Sequence, residues 1–373
     1  MFTKTSMVDT FRKLVQIDSN SGEEREMADL LTRELKQLGC KVIEDNTGEI
    51  IEGNAGNIIA LLKGDKNYPV LMLSAHMDRV EPGSDIKPVI KDDYIVSGGN
   101  TILAADDLAG VTGILESLKA IKENNIPHGD IKIIFTVAEE LGLLGAKYLE
   151  NHHLQDIDMG IVYDAEGKIG KIIYKGPAKA KFNAVIRGKS SHSGINPGKG
   201  INAIKISSLA ISAMNIGEID KETTANIGVI RGGIARNIVP DLVELEGEAR
   251  SLNSEKLEQQ LTHMKSVIEK YVDKYKGGVE FDIEHLYQNY SLKKDSALIK
   301  MLKSAAEEAD IKPEFNTSCG GNDANIFNDR GIPSVNIAVG AENVHTKNEK
   351  LKIDYLSELV KFTVNIIKKS REF

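Results

Sequence analysis

Histidine and carboxylate side chains recur in this chain directly after apolar runs, where a folded sheet would gather them. His76 and Asp78 follow Leu71-Met72-Leu73-Ser74-Ala75, and Glu139 and Glu140 follow Ile133-Ile134-Phe135-Thr136-Val137-Ala138. Asp164 follows Gly160-Ile161-Val162-Tyr163, and His345 lies in the loop after Val335-Asn336-Ile337-Ala338-Val339. Asp106 and Asp107 follow Thr101-Ile102-Leu103-Ala104-Ala105 and precede a helical stretch. Each alone has a plain structural reading: a turn-forming or capping Asp, a solvated Glu pair, a core histidine with a satisfied ring. Together they are harder to explain away, because gathering so many acids at one sheet edge without cations is very costly. Imidazoles with carboxylates and no thiolates suit divalent metal ions, zinc first, with cobalt or manganese as alternatives.

The spacing within the motifs assigns tasks. His76 and Asp78 are two apart, so on an extended segment they face the same way. Asp78 can then accept the second ring N–H of His76 and orient it, with direct ligation as the alternative. Glu139 and Glu140 are adjacent and point differently, so one can hold metal while the other stays free to take a proton.

Elements must bring these residues together. Short apolar runs at 57–62, 70–73, 131–137, 161–163 and 334–339 predict strands. Helices are predicted near the N-terminus (Val8, Phe11, Leu14, Val15), at 108–122, from about 143, at 295–309 and at 354–368. Ser21 and Glu24 read as a capping box ahead of the stripe Met27, Leu30, Leu31, Leu35 and Leu38, which stops at Gly39. Strands alternating with helices predict an α/β fold: a mixed, mostly parallel sheet with helices on both faces. Ligands of such sheets bind beyond the carboxyl ends of the strands, which is where these side chains fall.

The pattern changes near Lys175-Gly176-Pro177. Strands at 180–186, 225–230, 242–249 and 279–286, with helices at 202–214 and 255–275, form a compact α+β module. The organisation is therefore a catalytic metal-binding domain, 1–176 and 290–373, interrupted by an inserted domain at 177–289.

Bulk composition narrows the function. With 373 residues, 41% apolar and 27% charged, the chain is an ordinary globular protein, and its net charge of -8 disfavours nucleic acid or an anionic membrane as partner. No run approaches the ~20 apolar residues of a membrane span, and the charged start (Lys4, Asp9, Arg12, Lys13) lacks an apolar core of signal-peptide type. Cys40 and Cys319, without C-x-x-C spacing, read as reduced thiols, so the expected location is the cytoplasm.

His76-Met77-Asp78, Ala105-Asp106-Asp107-Leu108-Ala109-Gly110, Ala138-Glu139-Glu140-Leu141-Gly142, Asp164 and His345 resemble the metal-site motifs of the M20 metallopeptidases, in order and over nearly the whole chain. The branch is similar to peptidase T-like proteins, including aminotripeptidases. That resemblance implies a zinc exopeptidase-like fold and two metal ions. His76 and Asp164 would bind one, Glu140 and His345 the other, and Asp106 would bridge them. Glu139 would be the general base toward a metal-bridging water, Asp78 a catalytic partner of His76, and the Asp106–Asp107 peptide cis. It also implies an inserted domain that acts as lid, mediates homodimerisation and lends His192 as a carbonyl donor. His192 stands in Ser190-Ser191-His192-Ser193-Gly194, which alone reads as an exposed loop. Hinges would fall at 175–177 and 289–292.

Asn237, in Arg236-Asn237-Ile238-Val239-Pro240, and Arg250 match substrate-contacting positions of the family, while Arg250 alone reads as an ion pair with Glu248 or Glu246. Gly320 and Gly321 would let backbone approach substrate. At this point the chain departs from the aminotripeptidases: the arginine that precedes their Gly-Gly is Cys319. The implied activity is aminopeptidase hydrolysis of short, tripeptide-like substrates. A deacylase of N-acyl amino acids on the same metals is the alternative, and a non-catalytic binding protein a remote one.

Overall fold

The computed structural model describes residues 4–373, in two compact units. The larger comprises the described residues up to Lys175, Ser291–Thr317 and Asn322–Phe373, and the smaller Gly176–Tyr290 with Ser318–Gly321.

The larger unit is built on a mixed sheet. Seven of its strands run in the order Lys41–Glu44, Ile58–Leu62, Ile131–Thr136, Leu71–His76, Met159–Ala165, Ser334–Ala338, Lys171–Gly176, and Glu314–Thr317 also pairs with the last. The four from Ile131–Thr136 to Ser334–Ala338 are mutually parallel, so their carboxyl ends share one edge. Alternation decides what each face meets. Leu71, Leu73, Ala75, Ile131, Ile133 and Phe135 enter the main core with the helices Ala105–Glu123, Ile353–Lys369 and Lys4–Val15. On the opposite face Thr136 Oγ donates to Asp323 at the start of the short helix Asp323–Asp329, which packs on Met159–Ala165 and Ser334–Ala338. Both faces are thus covered, as expected for a sheet with a parallel centre.

The smaller unit is a five-stranded antiparallel sheet in the order Gly217–Glu218, Thr223–Gly232, Leu242–Ser251, Ala178–Arg187, Gly278–Tyr287. Ala180, Phe182, Ala184 and Ile186 point to one face and form a core with Ala203–Ala213 and Ser254–Tyr275. Ser318–Gly321 clusters with this unit: Gly321 lies so close to Tyr287 that a Cβ would be 2.0 Å from its Oη, and Arg250 Nη1 donates to the Cys319 carbonyl at 3.4 Å.

Some sequence expectations differ. Ser21 and Glu24 form no capping box. Glu24 itself stands at the N-cap of Arg25–Leu38 without a side-chain cap bond, and Ser21 Oγ donates to Asp78 Oδ2 at 2.6 Å. The strands Pro88–Lys91 and Lys41–Glu44 are largely exposed, Tyr94–Ser97 buries only Ile95 fully, and none carried an apolar alternation to reveal it. Among the described residues no helix is long and apolar enough to cross a membrane.

Candidate active site

The shared carboxyl edge of the parallel strands delivers the predicted ligands of the larger unit to one place. His76 ends the strand Leu71–His76, Asp164 lies in Met159–Ala165, and Glu139 and Glu140 follow Ile131–Thr136. Asp106 precedes the regular part of Ala105–Glu123: its ψ of 106° and the φ of Asp107 at −118° are non-helical, and the helix proper begins at Leu108. The Asp106–Asp107 peptide is cis. His345 enters from the loop after Ser334–Ala338, in a left-handed conformation with φ 59°.

Asp106 sits between two imidazoles. Its Oδ1 is 3.2 Å from His76 Nε2 and its Oδ2 is 3.1 Å from His345 Nε2. His345 Nε2 is also 2.8 Å from Glu140 Oε1. His76, Asp106 and Glu140 offer ligand atoms within 4.8 Å of one another, and so do His76, Glu139 and Asp164. Glu139 therefore borders the same cluster as the acids expected to be ligands.

Asp78 is fully buried beside the cluster. His76 Nδ1 lies 3.1 Å from the Asp78 carbonyl oxygen and 3.3 Å from its Oδ1. The carboxylate also accepts the backbone N–H of Glu139 at 3.0 Å and of Glu140 at 3.2 Å. It thus joins the His76 strand to the segment bearing both glutamates, a wider task than orienting one ring.

The titration behaviour follows from crowding. Burial, reinforced by Asp164, drives the Glu139 carboxyl well above the usual range, and burial with Asp106 does the same to Asp164. Burial opposes charge on Asp106 and on His76, yet bonding to His345 and His76 holds Asp106 low, and bonding to Asp106 and Asp78 holds His76 high. Asp106 and Glu140 raise His345 to about 10. Burial lifts Asp323 to about 6. Asp107 Oδ1 and Asp323 Oδ1 are buried without a hydrogen-bond partner among the described residues. Such a surplus of buried carboxyl oxygens beside two imidazoles, with Cys40 and Cys319 playing no part, is a donor set that fits divalent cations.

Two residues of the site were not anticipated in these roles. Glu349 is buried, and its carboxylate accepts the backbone N–H of Leu103, Ala104 and Asp106 at 2.7, 2.8 and 3.1 Å. Arg79 is almost fully buried next to Asp78. Its Nη1 donates to the carbonyls of Val15 and Gly83 and its Nε to Ser19 Oγ, which fixes the loop leaving the His76 strand. The run Asn348-Glu349-Lys350 looks like a solvated loop, and only its position four residues after His345 sets it apart.

The remaining candidates belong to the smaller unit. His192 is exposed, and its Nδ1 accepts the N–H of Gly194 and of Ile195, both at 3.1 Å. That fixes the ring proton on Nε2. Asn237 pairs through its backbone carbonyl with Ser193 N at 2.9 Å, which ties its loop to that of His192. Arg250 Nε is 2.8 Å from Glu248 Oε1, so the ion pair that sequence offered as the alternative is present. Gly320 N donates to Ser318 Oγ at 3.0 Å.

Comparison with known proteins places this architecture. Residues 72–369 match the model of peptidase family M20/M25/M40. The chain is 43% identical over 370 residues to the Bacillus subtilis protein YqjE, covering 99% of this chain and 100% of that one. The solved structure of aminopeptidase PepT from Bacillus cereus superposes with a TM-score of 0.92 at 41% identity over 99% of both chains. That of a tripeptidase from Staphylococcus aureus superposes with a TM-score of 0.96 at 38% identity over 100% of both.

Proposed function

This chain belongs to peptidase family M20/M25/M40 and is a peptidase; we propose that it is a dimetal aminopeptidase of short peptides, with zinc as the resident ion. The observation that carries the reading is Asp106, whose two oxygens each face one imidazole at 3.2 and 3.1 Å. In that reading His76 and Asp164 would hold one ion, Glu140 and His345 the other, and Asp106 would serve both. When bound, the pair supplies Lewis acidity, polarising the scissile carbonyl and lowering the pKa of a water.

The chain's own groups do the rest. Glu139 takes the proton of the attacking water on its carboxylate and delivers it to the leaving amine. Burial and the neighbouring Asp164 raise its proton affinity. Asp78 holds the backbone of Glu139 and the ring of His76. His192, with its proton on Nε2, donates to the oxygen on which charge develops. Asn237, Arg250, Gly320 and Gly321 contact the substrate's far end.

The smaller unit is proposed as lid and homodimerisation domain, for which the exposure of Ile195 and Ile234, 72% and 83%, is support. Sedimentation velocity tests the dimer. The cytoplasm is the proposed location, with Cys40 and Cys319 both free. The activity is tested by hydrolysis of a dipeptide and tripeptide panel by chelator-stripped protein, with and without Zn²⁺, Co²⁺ or Mn²⁺. Metal-independent turnover, or none with any ion, would overturn the proposal.

A further inference from the structure

The segment that carries Glu139 has every backbone N–H from 137 to 140 held by a buried side chain. Val137 N donates to Asn57 Oδ1 at 3.1 Å, Ala138 N to Glu24 Oε1 at 3.0 Å, Glu139 N to Asp78 Oδ1 at 3.0 Å and Glu140 N to Asp78 Oδ2 at 3.2 Å. Ala138 adopts φ 48°, a left-handed conformation that a residue with a Cβ rarely takes unless its surroundings impose it. The turn then closes on itself: Gly142 N and Leu143 N donate to the Glu139 carbonyl at 2.9 and 2.7 Å, and Leu144 N to that of Ala138 at 3.2 Å.

Glu24, like Asn57, has no task in the proposed chemistry. It is 0% exposed, and it comes from the start of Arg25–Leu38, far away in sequence. The same Oε1 accepts Gly22 N at 2.9 Å, so it also fixes its own loop. Its Oε2 has no hydrogen-bond partner among the described residues. A buried acid with one unpartnered oxygen is an expensive choice for packing alone, because an apolar side chain would avoid that desolvation. What an apolar side chain cannot do is accept the Ala138 N–H.

We infer that Glu24 is a positioning residue: by accepting the Ala138 N–H it imposes the left-handed turn that aims Glu139 at the reacting water. Asp78 fixes the two residues after the turn, and Glu24 fixes the residue that makes it. Reach, not charge, is the property that matters. Glutamine at position 24 keeps an oxygen at the same distance, whereas aspartate keeps the charge and withdraws it by one methylene. The inference rests on the reading of Glu139 as proton carrier.

The test compares Glu24→Gln, Glu24→Asp and Glu24→Ala with the parent and with Glu139→Gln, each loaded with Zn²⁺ and assayed on a tripeptide. The readouts are kcat, KM, bound metal and hydrogen–deuterium exchange of residues 137–141. Glu24→Asp and Glu24→Ala are expected to lose kcat on the order of 10- to 100-fold, the range for misplacing a reacting group by about 1 Å. KM and metal content should hold, and the 137–141 amides should exchange faster. Glu24→Gln should stay close to the parent in all four readouts. Glu24→Ala leaves no misdirected charge in the cavity, so the test does not hang on the folding of Glu24→Asp alone. Parental kcat in both shortened variants overturns the inference. So does an equal loss in Glu24→Gln, which would make charge the property that counts, or a kcat loss that only tracks lost metal. If Glu139→Gln itself turns over at the parental rate, the proton-carrier reading fails. If Glu139→Gln is inert while the shortened variants are unimpaired, only the inference fails.

Discussion

Glu349 accepts the backbone N–H of Asp106 on one carboxylate oxygen, at 3.1 Å, while its other oxygen takes those of Leu103 and Ala104. One buried side chain thus ties the loop of His345 to the loop of Asp106, the two segments whose side chains meet at 3.1 Å. Glu349→Gln exchanges one acceptor oxygen for an amide that must face N–H donors. We expect a loss of metal affinity of about 10- to 100-fold, the usual cost of losing support behind a ligand. Competition with a chromogenic chelator measures it. Unchanged affinity in a folded Glu349→Gln protein would show that this support is dispensable.

Glu139 and Glu140 are adjacent yet are assigned different tasks, and the variants should separate them. Glu139→Ala is expected to abolish turnover, by at least about 10²-fold, with metal content nearly intact. Glu140→Ala should bind fewer ions. Elemental analysis beside single-turnover assays decides this, and appreciable activity in Glu139→Ala would sink the assignment.

The convergence of these side chains was legible because each follows an apolar run, and parallel strands put the ends of such runs at one edge. His76, Glu140 and Asp164 were therefore predictable from a pattern of one dimension. The supports were not, since their signal exists only in three. Glu24 lies in a polar stretch that imitates a capping box, and its carboxylate spends its bonds on Gly22 and Ala138 instead. Glu349 lies in a stretch that looks solvated. Asp323–Asp329 was hidden by the glycines before it and its short length. The hairpin at Pro88–Lys91 and Tyr94–Ser97 has two four-residue strands, the first largely exposed, so hydrophobic periodicity had little to report.

His192 presents a single donor. With Nδ1 occupied by the N–H groups of Gly194 and Ile195, only Nε2–H can reach a substrate oxygen. His192→Ala should cut kcat by ~10²–10³, the range for one oxyanion donor, with little change in metal affinity. Steady-state kinetics with parallel metal titrations checks this. A loss below about tenfold would remove His192 from the catalytic residues.

Removal of metal should make stability depend on pH with a definite sign. Burial pushes Glu24 and Glu349 up to about 7 and Asp323 up to about 6. Unfolded, such groups titrate near about 4. The folded chain therefore keeps protons that the unfolded chain has lost, and the associated stability is present below about pH 4 and lost as pH rises through 7. His345, raised to about 10 by Asp106 and Glu140, acts with the same sign above about pH 6.5. Asp78 and Asp106 are shifted the opposite way, but their window lies below about pH 4. The melting temperature of chelator-treated protein should fall between about pH 5 and pH 8, and added Zn²⁺ should flatten the profile by replacing protons. A melting temperature that rises over that range without metal would contradict these proton affinities.

The hold on the substrate's far end should be weak. Arg250 spends its Nε on Glu248 at 2.8 Å, and Glu248 is shared with Lys179 at 2.8 Å. Its Nη1 reaches the carbonyl of Cys319 at 3.4 Å, at the position where aminotripeptidases carry a second arginine. A thiol cannot pair with a carboxylate as guanidinium does, so one half of a clamp is absent. A charge-assisted hydrogen bond is worth ~1.5–3 kcal/mol, so without it the enzyme should accept a broader range than tripeptides. Tripeptide amides should be cleaved within about tenfold of the free acids, and Arg250→Ala should raise KM for free acids more than for amides. The measurement is kcat/KM for a dipeptide, a tripeptide, a tetrapeptide and a tripeptide amide of matched sequence. A preference above about a hundredfold for the free tripeptide would mean that another residue supplies the missing charge, and that Cys319 does not loosen the carboxylate clamp.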